Sequence, residues 1–340
     1  MPKLALSLLP LLLLLPVPAL SQDADVQEAW ATSEGSLRAR AAGISLPQTV
    51  AGLSLSKSGE VTNGGKGIDN YAQYLSDDGA VQATLYVYLP SYADASIAAY
   101  MTDRAVTDRF GPKTRRTAYE GVALHGKAGR AIRTVYDDAA NGALTTAAAF
   151  VQSGRWLVKL RVTGPSERRR EVLAGLDGML GGLRFDDASA VRSISPARFA
   201  DCPKGDDGDA RLTASGAATG ADVQPVWEGA ASFCIRGHVQ TSEGSYDVLE
   251  QQRARGASVI VPIDDAGTVM AFDPARGGRG YQLSMHSVGE TKLYGVYDRV
   301  PSARQIAKIL DGKDPQTAEA RATAAYAASG EVIVREGATN

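Results

Sequence analysis

The sequence predicts an α+β protein with two domains, each of which is a mainly antiparallel sheet covered by helices. Three observations support this prediction. Short segments in which apolar and polar residues alternate are separated by turn residues, a pattern typical of hairpins. Between them lie segments with apolar residues at helical spacing. The chain also has 340 residues, more than one small domain requires, and its composition changes near "RFDDASAVRSISPARF".

The N-terminus has the layout of a secretory signal peptide. Lys3 precedes an apolar run, which is interrupted by three prolines and followed by small residues. A retained membrane anchor is the alternative, but a spanning helix needs about 20 apolar residues. We therefore expect residues 1–21 to be removed by cleavage after Ser21, with Ala19 as the less favoured site. The alanine-rich chain lacks Asn-x-Ser/Thr sequons, which favours a bacterial, periplasmic protein.

Charge argues against nucleic acid as a partner, and hydropathy argues against a transmembrane segment. The formal net charge is -2, so no global positive field attracts nucleic acid. Beyond the leader, the apolar segments have strand length, and we expect no transmembrane segment in the mature chain. The partner is therefore expected to be a periplasmic or envelope protein, whose identity the sequence does not specify.

The change in composition sets the predicted boundaries. We expect residues 22–43 to be a helical or flexible N-terminal segment. The first α+β domain then covers residues 44–187. A linker at 188–196 connects it to a second α+β domain at 197–340.

The first domain opens with a predicted hairpin whose turn is "SDDG". Its second strand carries Tyr86 and Tyr88 on the polar face, where we expect a helix to cover them; an exposed recognition surface is the alternative. A helix follows, capped by Ser91 or Asp94 and stopped by "GP". Its apolar stripe contains four residues: Ile97, Met101, Ala105 and Phe110.

A second hairpin and a second helix complete this domain. Ser153 and Gly154 form a two-residue turn between "LTTAAAFVQ" and "RWLVKLRV". One face of the latter strand is apolar and the other, which carries Lys159, is predicted to be half solvated. Pro165 and Ser166 then open a helix with a leucine-rich stripe.

These elements occur in the order of a known family. The succession "AQYLSDDGAVQATLYVYLP", helix, "AAAFVQSGRWLVKLRVTGP", helix resembles the Mog1/PsbP-like domains of exported bacterial proteins. That family contains assembly factors and stress-linked proteins rather than one class of enzyme. The resemblance therefore implies a binding or assembly function for residues 44–187.

The second domain is predicted to be a series of strands followed by two helices. Ser302 and Gln305 form a capping box at the start of the first helix. The second helix is expected to start at the cap Asp314 and to end near Ala328, before a last strand "EVIVR".

No catalytic motif is complete. The segments "GEVTNGGKGID" and "ARGGRGYQ" both depart from the nucleotide-binding patterns, and no Gly-x-Ser-x-Gly elbow is present, so no cofactor is expected. Ser284 and His286 lie on one face of a predicted strand and, with a remote Asp, are a candidate hydrolytic trio. We expect that face to be solvated, which argues against the trio. The Asp-Asp pairs, including Asp264/Asp265, are mostly expected at turns.

The two cysteines, Cys202 and Cys234, predict one disulfide, because an even pair in an exported chain is most simply oxidised. Zinc binding by both cysteines with His238 is an alternative. Calcium binding is another, through the acidic loop with Asp206, Asp207 and Asp209.

Taken together, the sequence favours an exported, non-enzymatic periplasmic binding or accessory protein. An exported hydrolase and a metal-binding protein remain the alternative hypotheses.

Overall fold

A computed structural model describes residues 29–61, 66–203, 208–213, 233–253, 256–275, 280–314, 317 and 319–337. The predicted signal peptide lies outside these residues. The first half of the described chain, residues 29–187, contains two sheets and two α-helices. Its twelve strands are β1 (Trp30–Ser33), β2 (Ser36–Ala39), β3 (Ile44–Pro47), β4 (Thr49–Val50), β5 (Leu53–Glu60), β6 (Asp69–Leu75), β7 (Gln82–Tyr88), β8 (Arg115–Leu124), β9 (Lys127–Ala139), β10 (Leu144–Ser153), β11 (Trp156–Pro165) and β12 (Arg184–Phe185).

Helix α1 (Ala95–Phe110) follows β7, and helix α2 (Arg169–Gly182) follows β11 after one 3-10 turn. Strands β1, β2, β3 and β12 form a four-stranded sheet. The other eight strands form one antiparallel sheet in the order β4, β5, β6, β7, β11, β10, β9, β8, here called the large sheet of the first half.

In the second half, residues 197–337, the described residues form one sheet of ten strands and a short helix, α3 (Ala303–Leu310), between the eighth and ninth strands. The strands are β13 (Ala200–Asp201), β14 (Leu212–Thr213), β15 (Cys234–Thr241), β16 (Gly244–Arg253), β17 (Gly256–Pro262), β18 (Val269–Pro274), β19 (Tyr281–Ser287), β20 (Glu290–Tyr297), β21 (Ala322–Tyr326) and β22 (Val332–Glu336). From β15 to β22 each strand is antiparallel to its neighbour, and β14 pairs with β20.

The predicted α+β class is therefore wrong, since the protein is mainly β. The predicted helix from Asp314 to Ala328 is wrong in the same way, because residues 322–326 form β21. Ala322, Ala324 and Tyr326 alternate with more exposed residues, and β21 pairs with strands on both sides. Pairing at a buried sheet thus overrides the helix propensity of alanine. Residues 29–43, expected to be helical or flexible, include β1 and β2.

Several local predictions are confirmed. Asp94 caps α1, its side chain accepting hydrogen bonds from two backbone amides of the first turn, and the helix ends before Gly111. The predicted hairpin of β10 and β11 forms, but its two turn residues are Gly154 and Arg155, because Ser153 pairs with Trp156. Ser302 caps α3 by accepting from the backbone N of Gln305 at 3.2 Å.

Helix α1 is covered on two opposite faces. Ala95, Ala98 and Ala99 pack on the large sheet of the first half, in a cluster with Phe150 and Leu157. Small side chains allow this close approach of the helix to the sheet.

The opposite face of α1 packs on the sheet of the second half. Ile97 and Met101 lie in one buried cluster with Leu249, Ile260 and Ala271. Two residues of the predicted stripe of α1, Ile97 and Met101, therefore face the second half. Tyr88 is buried and Tyr86 is half-buried, in agreement with the expectation that a helix covers both side chains.

The outer faces of the two large sheets have their own cover. Helix α2 places Val172, Leu176 and Met179 against the first-half sheet, in the same cluster as the four-stranded sheet. Helix α3 places Ile306 and Ile309 against the second-half sheet. The order of layers is thus α2, sheet, α1, sheet, α3, with α1 shared between the halves.

A buried ion pair also joins the halves. Lys159 on β11 pairs with Asp265 in the turn between β17 and β18, and their side chains are 10% and 14% exposed. Thr102 of α1 donates to the same carboxylate at 3.3 Å, and the Tyr88 hydroxyl donates to the Asp265 carbonyl at 2.9 Å. The strand face predicted to be half solvated is therefore covered by the second half. Burial lowers the pKa of Lys159, and the Asp265 carboxylate opposes that effect.

Replacing Lys159 with Met should lower the free energy of unfolding by about 3–5 kcal/mol, because Asp265 is left buried without its counter-ion. The double variant K159M/D265N should recover much of that loss. The matched control is R115M, which removes the exposed pair with Asp138 and should cost less than about 1 kcal/mol. Urea denaturation of the four proteins measures these values. If K159M and R115M lowered the free energy of unfolding by equal amounts, the Lys159–Asp265 pair would not join the halves.

Candidate functional site

A cleft lined by described residues lies where the two halves meet, beside the N-terminal end of α1. Its volume is about 670 Å³. Two smaller depressions, of about 330 and 480 Å³, are each confined to one half. Clefts of a few hundred cubic ångströms between domains are common ligand sites. The linker, the start of α1 and the ends of β9 and β10 form its walls.

The linker is held in place as an added segment of the first-half sheet. The backbone N of Arg192 donates to the Gln152 carbonyl at 2.9 Å, and that of Ile194 donates to the Gly129 carbonyl at 2.9 Å. Val191 and Ile194 are buried, and they anchor the segment. The residues between and after them are thereby held at the wall of the cleft.

The start of α1 is held by a buried amide. Gln152 on β10 is 1% exposed. Its Nε2 donates to the Ala93 carbonyl at 2.8 Å, and its Oε1 accepts from the backbone N of Ala95 at 3.3 Å. This side chain fixes the first turn of the helix to the sheet, so the wall formed by α1 has a defined position.

Three arginines give the cleft an excess of positive charge. Arg130 on β9, Arg192 and Arg198 all line it, and within the described part of the chain none of them forms an ion pair. Arg130 donates to the Val191 carbonyl. Asp94 is the lining carboxylate, and its Oδ1 is occupied by backbone amides of α1 at 2.8 and 3.2 Å. Guanidinium groups in such a setting are suited to carboxylate or phosphate.

An aromatic wall lies beside these charges. The ring of Phe199 contacts Tyr100 edge to face, with centroids 4.9 Å apart, and contacts Phe233 at 5.9 Å. Ile97 and Ile194 add aliphatic surface. The cleft can therefore hold a ligand that has both an acidic group and an apolar part.

The predicted hydrolytic pair forms part of a different, buried feature. Ser284 and His286 on β19 are 4% and 3% exposed, so the expectation of a solvated face is wrong. The Ser284 Oγ lies 3.0 Å from His286 Nε2. On the other side of the ring, Nδ1 lies 3.1 Å from Ser91 Oγ and 3.3 Å from Thr291 Oγ1. Hydroxyl groups thus occupy the position at which a triad has its carboxylate.

This network links the halves rather than exposing a nucleophile. Ser91 Oγ donates to the Glu290 carbonyl at 2.8 Å, so it accepts from His286 Nδ1 and leaves Nε2 to accept from Ser284. The backbone N of Ser91 also donates to the Ser287 carbonyl at 2.9 Å. Neither Ser284 nor His286 lines any of the three clefts described above, and both side chains are buried.

The cysteine region contains no metal site among its described residues. Cys202 and Cys234 lie at disulfide-bonding distance, with 4.9 Å between their Cα atoms. Sulfur atoms that are bonded to each other are not available as zinc ligands. His238, the third candidate ligand, pairs with Asp247 at 2.6 Å. The residues that the structure describes include no group of three or more ligands suited to a metal ion.

The acidic loop is only partly described. Asp206 and Asp207 lie outside the described residues, whereas Asp209 accepts hydrogen bonds from Ser302 and Arg304, each at 2.5 Å. Gln305 does not complete the predicted capping box, since its side chain pairs with the backbone of Ala210. These contacts fasten the loop to α3.

The cleft could not be identified from the sequence, because its arginines belong to segments interpreted as a linker and as an ordinary strand. One signal was present: Val191 and Ile194 are apolar residues in a segment expected to be solvated. Asp265 was also missed. Asp264 is the turn residue that the Asp-Asp pattern predicts, accepting from Ala266 and Thr268, while Asp265 crosses to the first half.

The His286 network should make stability depend on pH. Burial lowers the pKa of His286 from 6.5 to about 4. The unfolded chain therefore binds a proton more readily, so stability is full above about pH 6.5 and is lost as the pH falls towards 4. The loss should reach about 3 kcal/mol. Urea denaturation across this range should show a shallower pH dependence for His286→Asn. If the free energy of unfolding of the wild type and of His286→Asn depended equally on pH, His286 would not be the source of the pH dependence.

The disulfide should stabilise the second half. Replacing both cysteines with serine should lower the free energy of unfolding by about 3 to 4 kcal/mol, because the unfolded chain loses the constraint of a loop of this length. Denaturation with and without a reductant measures the effect. Two thiols that react with an alkylating agent in the native, air-exposed protein would show that no disulfide forms.

No protein-family model matches the chain, and the comparison with curated proteins gave no match. Among solved structures, the chain is similar to the solution structure of cyanobacterial PsbP (CyanoP) from Synechocystis sp. PCC 6803, with 11% sequence identity and a TM-score of 0.33. The match covers 46% of this chain and 98% of that protein. This is a weak resemblance of fold over part of the chain. No helix among the described residues is long and apolar enough to cross a membrane.

Proposed function

We propose that this protein is exported to the periplasm and acts there as a non-enzymatic binding or accessory protein. In this proposal, the cleft between the halves binds an acidic group of a periplasmic or envelope partner. The observation that carries the proposal is the set of three guanidinium groups, none of which forms an ion pair with a described residue, beside an aromatic wall.

The chemistry of the cleft favours binding over catalysis. Arginine remains protonated at physiological pH and offers paired N–H donors, which makes it a good anion ligand and a poor general base. A nucleophile paired with a base would be needed for hydrolysis. The serine and histidine that come within 3.0 Å of each other lie outside this cleft.

The rigid walls add to the affinity that the charges can provide. The linker and the start of α1 are both hydrogen-bonded to the first-half sheet, through the Gln152 carbonyl and the Gln152 side chain respectively. A binding site whose walls are already ordered loses less conformational entropy when a ligand arrives. Export is supported by the signal-peptide pattern of residues 1–21 and by the cysteine pair.

A titration with 8-anilinonaphthalene-1-sulfonate, a fluorescent aromatic anion, tests the site. The double variant R192Q/R198Q should raise its dissociation constant about tenfold or more, because charge-assisted hydrogen bonds are lost. R115Q is the control, since Arg115 begins β8 and lies beside Asp137 and Asp138, at the end of β9 remote from Arg130. Added salt should weaken binding to the wild-type protein more than to the double variant.

Two results would contradict the proposal. Equal affinity of the wild type and R192Q/R198Q for the probe would remove the cleft as an anion site. Turnover of an ester or phosphate substrate that is abolished by Ser284→Ala would instead support the exported hydrolase.

A further inference from the structure

The last strand, β22, is a free edge of the ten-stranded sheet and has exposed apolar side chains. It pairs with β21 on one side and has no neighbour on the other within the described part of the chain. The described residues include three large exposed hydrophobic side chains, and two of them, Val332 and Ile333, lie on this strand at 36% and 46% exposure. A free edge of this kind can pair with another strand.

The hydrogen bonds to β21 determine which backbone groups are free. The Glu331 carbonyl accepts from Ala327 at 2.9 Å, and the Gly337 amide donates to Arg321 at 2.6 Å. Backbone groups alternate in direction along an antiparallel strand. The odd-numbered residues of β22 therefore face β21, and the even-numbered residues from Val332 onward present their N–H and C=O groups at the edge.

From this pattern we propose that two copies of the protein associate through β22, antiparallel and about a two-fold axis. Pairing of even-numbered residues with even-numbered residues requires a residue to lie on the two-fold axis, and several registers meet this condition. With Ile333 on the axis, Glu331 of each copy lies opposite Arg335 of the other. With Val334 on the axis, Ile333 lies opposite Arg335 instead, and Val332 lies opposite Glu336.

Charge selects the first register. Opposite charges facing each other across two strands are stabilising, whereas a charge facing an aliphatic side chain gains nothing. Glu331 and Arg335 are exposed, and no described residue of the same chain forms an ion pair with either. The two-fold axis produces this pair twice, on either side of Ile333.

The central contact is also favourable in this register. Ile333 meets its symmetry mate at a non-hydrogen-bonded position, where facing residues approach most closely. On the opposite face of the strand, Val332 meets Val334, so the exposed aliphatic surface of both copies is removed from water. The interaction is isologous and closes at two copies, which prevents continued growth.

Sedimentation equilibrium of the purified protein tests this inference independently of the cleft. The wild type is expected to form dimers. E331R and R335E should each raise the dissociation constant about tenfold or more, because each places like charges face to face twice. The exchange E331R/R335E should restore the wild-type value. I333N should also weaken the dimer, and the control V61N, which alters an exposed valine of the first half, should not.

The circular dichroism spectrum of each variant, expected to match that of the wild type, shows that the monomers are folded. A monomeric wild type would overturn the inference. So would a dimer that persists in both E331R and R335E, since it would use another surface. Failure of the charge exchange to restore association would overturn the proposed register.

Discussion

The structure depends on the packing of helix α1 between the two large sheets. Its alanine face contacts the first-half sheet, and its Ile97 and Met101 face contacts the second-half sheet. A helix buried on two sides links the layers more tightly than a flexible tether, because displacing one half exposes apolar surface on both. The buried Lys159–Asp265 pair and the His286 network lie in the same joint and add directional contacts. Each is costly to leave unpaired, so both favour one arrangement of the halves.

The proposed site is a consequence of this arrangement. The cleft takes its walls from the first-half sheet, the linker and Phe233 of the second half. If the halves moved freely, the three arginines would not remain beside the aromatic wall. The linker is therefore part of the binding surface rather than only a connection, with Arg192 held by its own backbone hydrogen bond. The proposed dimer edge, by contrast, lies on the last strand and leaves the joint untouched.

Local features could be predicted from the sequence, whereas the relation between distant segments could not. Asp94 and Gly111 carry clear cap and stop signals, and Gly154 gives the turn between β10 and β11 a strong local preference. The alanine-rich segment at 322–326 was misassigned because its strand pairing depends on β20 and β22, which lie on either side of it in the sheet. Likewise, the alanines of α1 did not predict that the helix is buried on the face opposite Ile97 and Met101 as well. Lys159 was interpreted as half solvated because nothing in its own strand indicates that Asp265, 106 positions away, covers it.

Through α1, the two halves should form one cooperative unit. Differential scanning calorimetry of the purified protein measures this cooperativity. We expect a single unfolding transition, with a calorimetric enthalpy equal to the van't Hoff enthalpy. Two separate transitions, each with the enthalpy of one half, would contradict it, because α1 would then not couple the sheets and the cleft between them would have no fixed geometry.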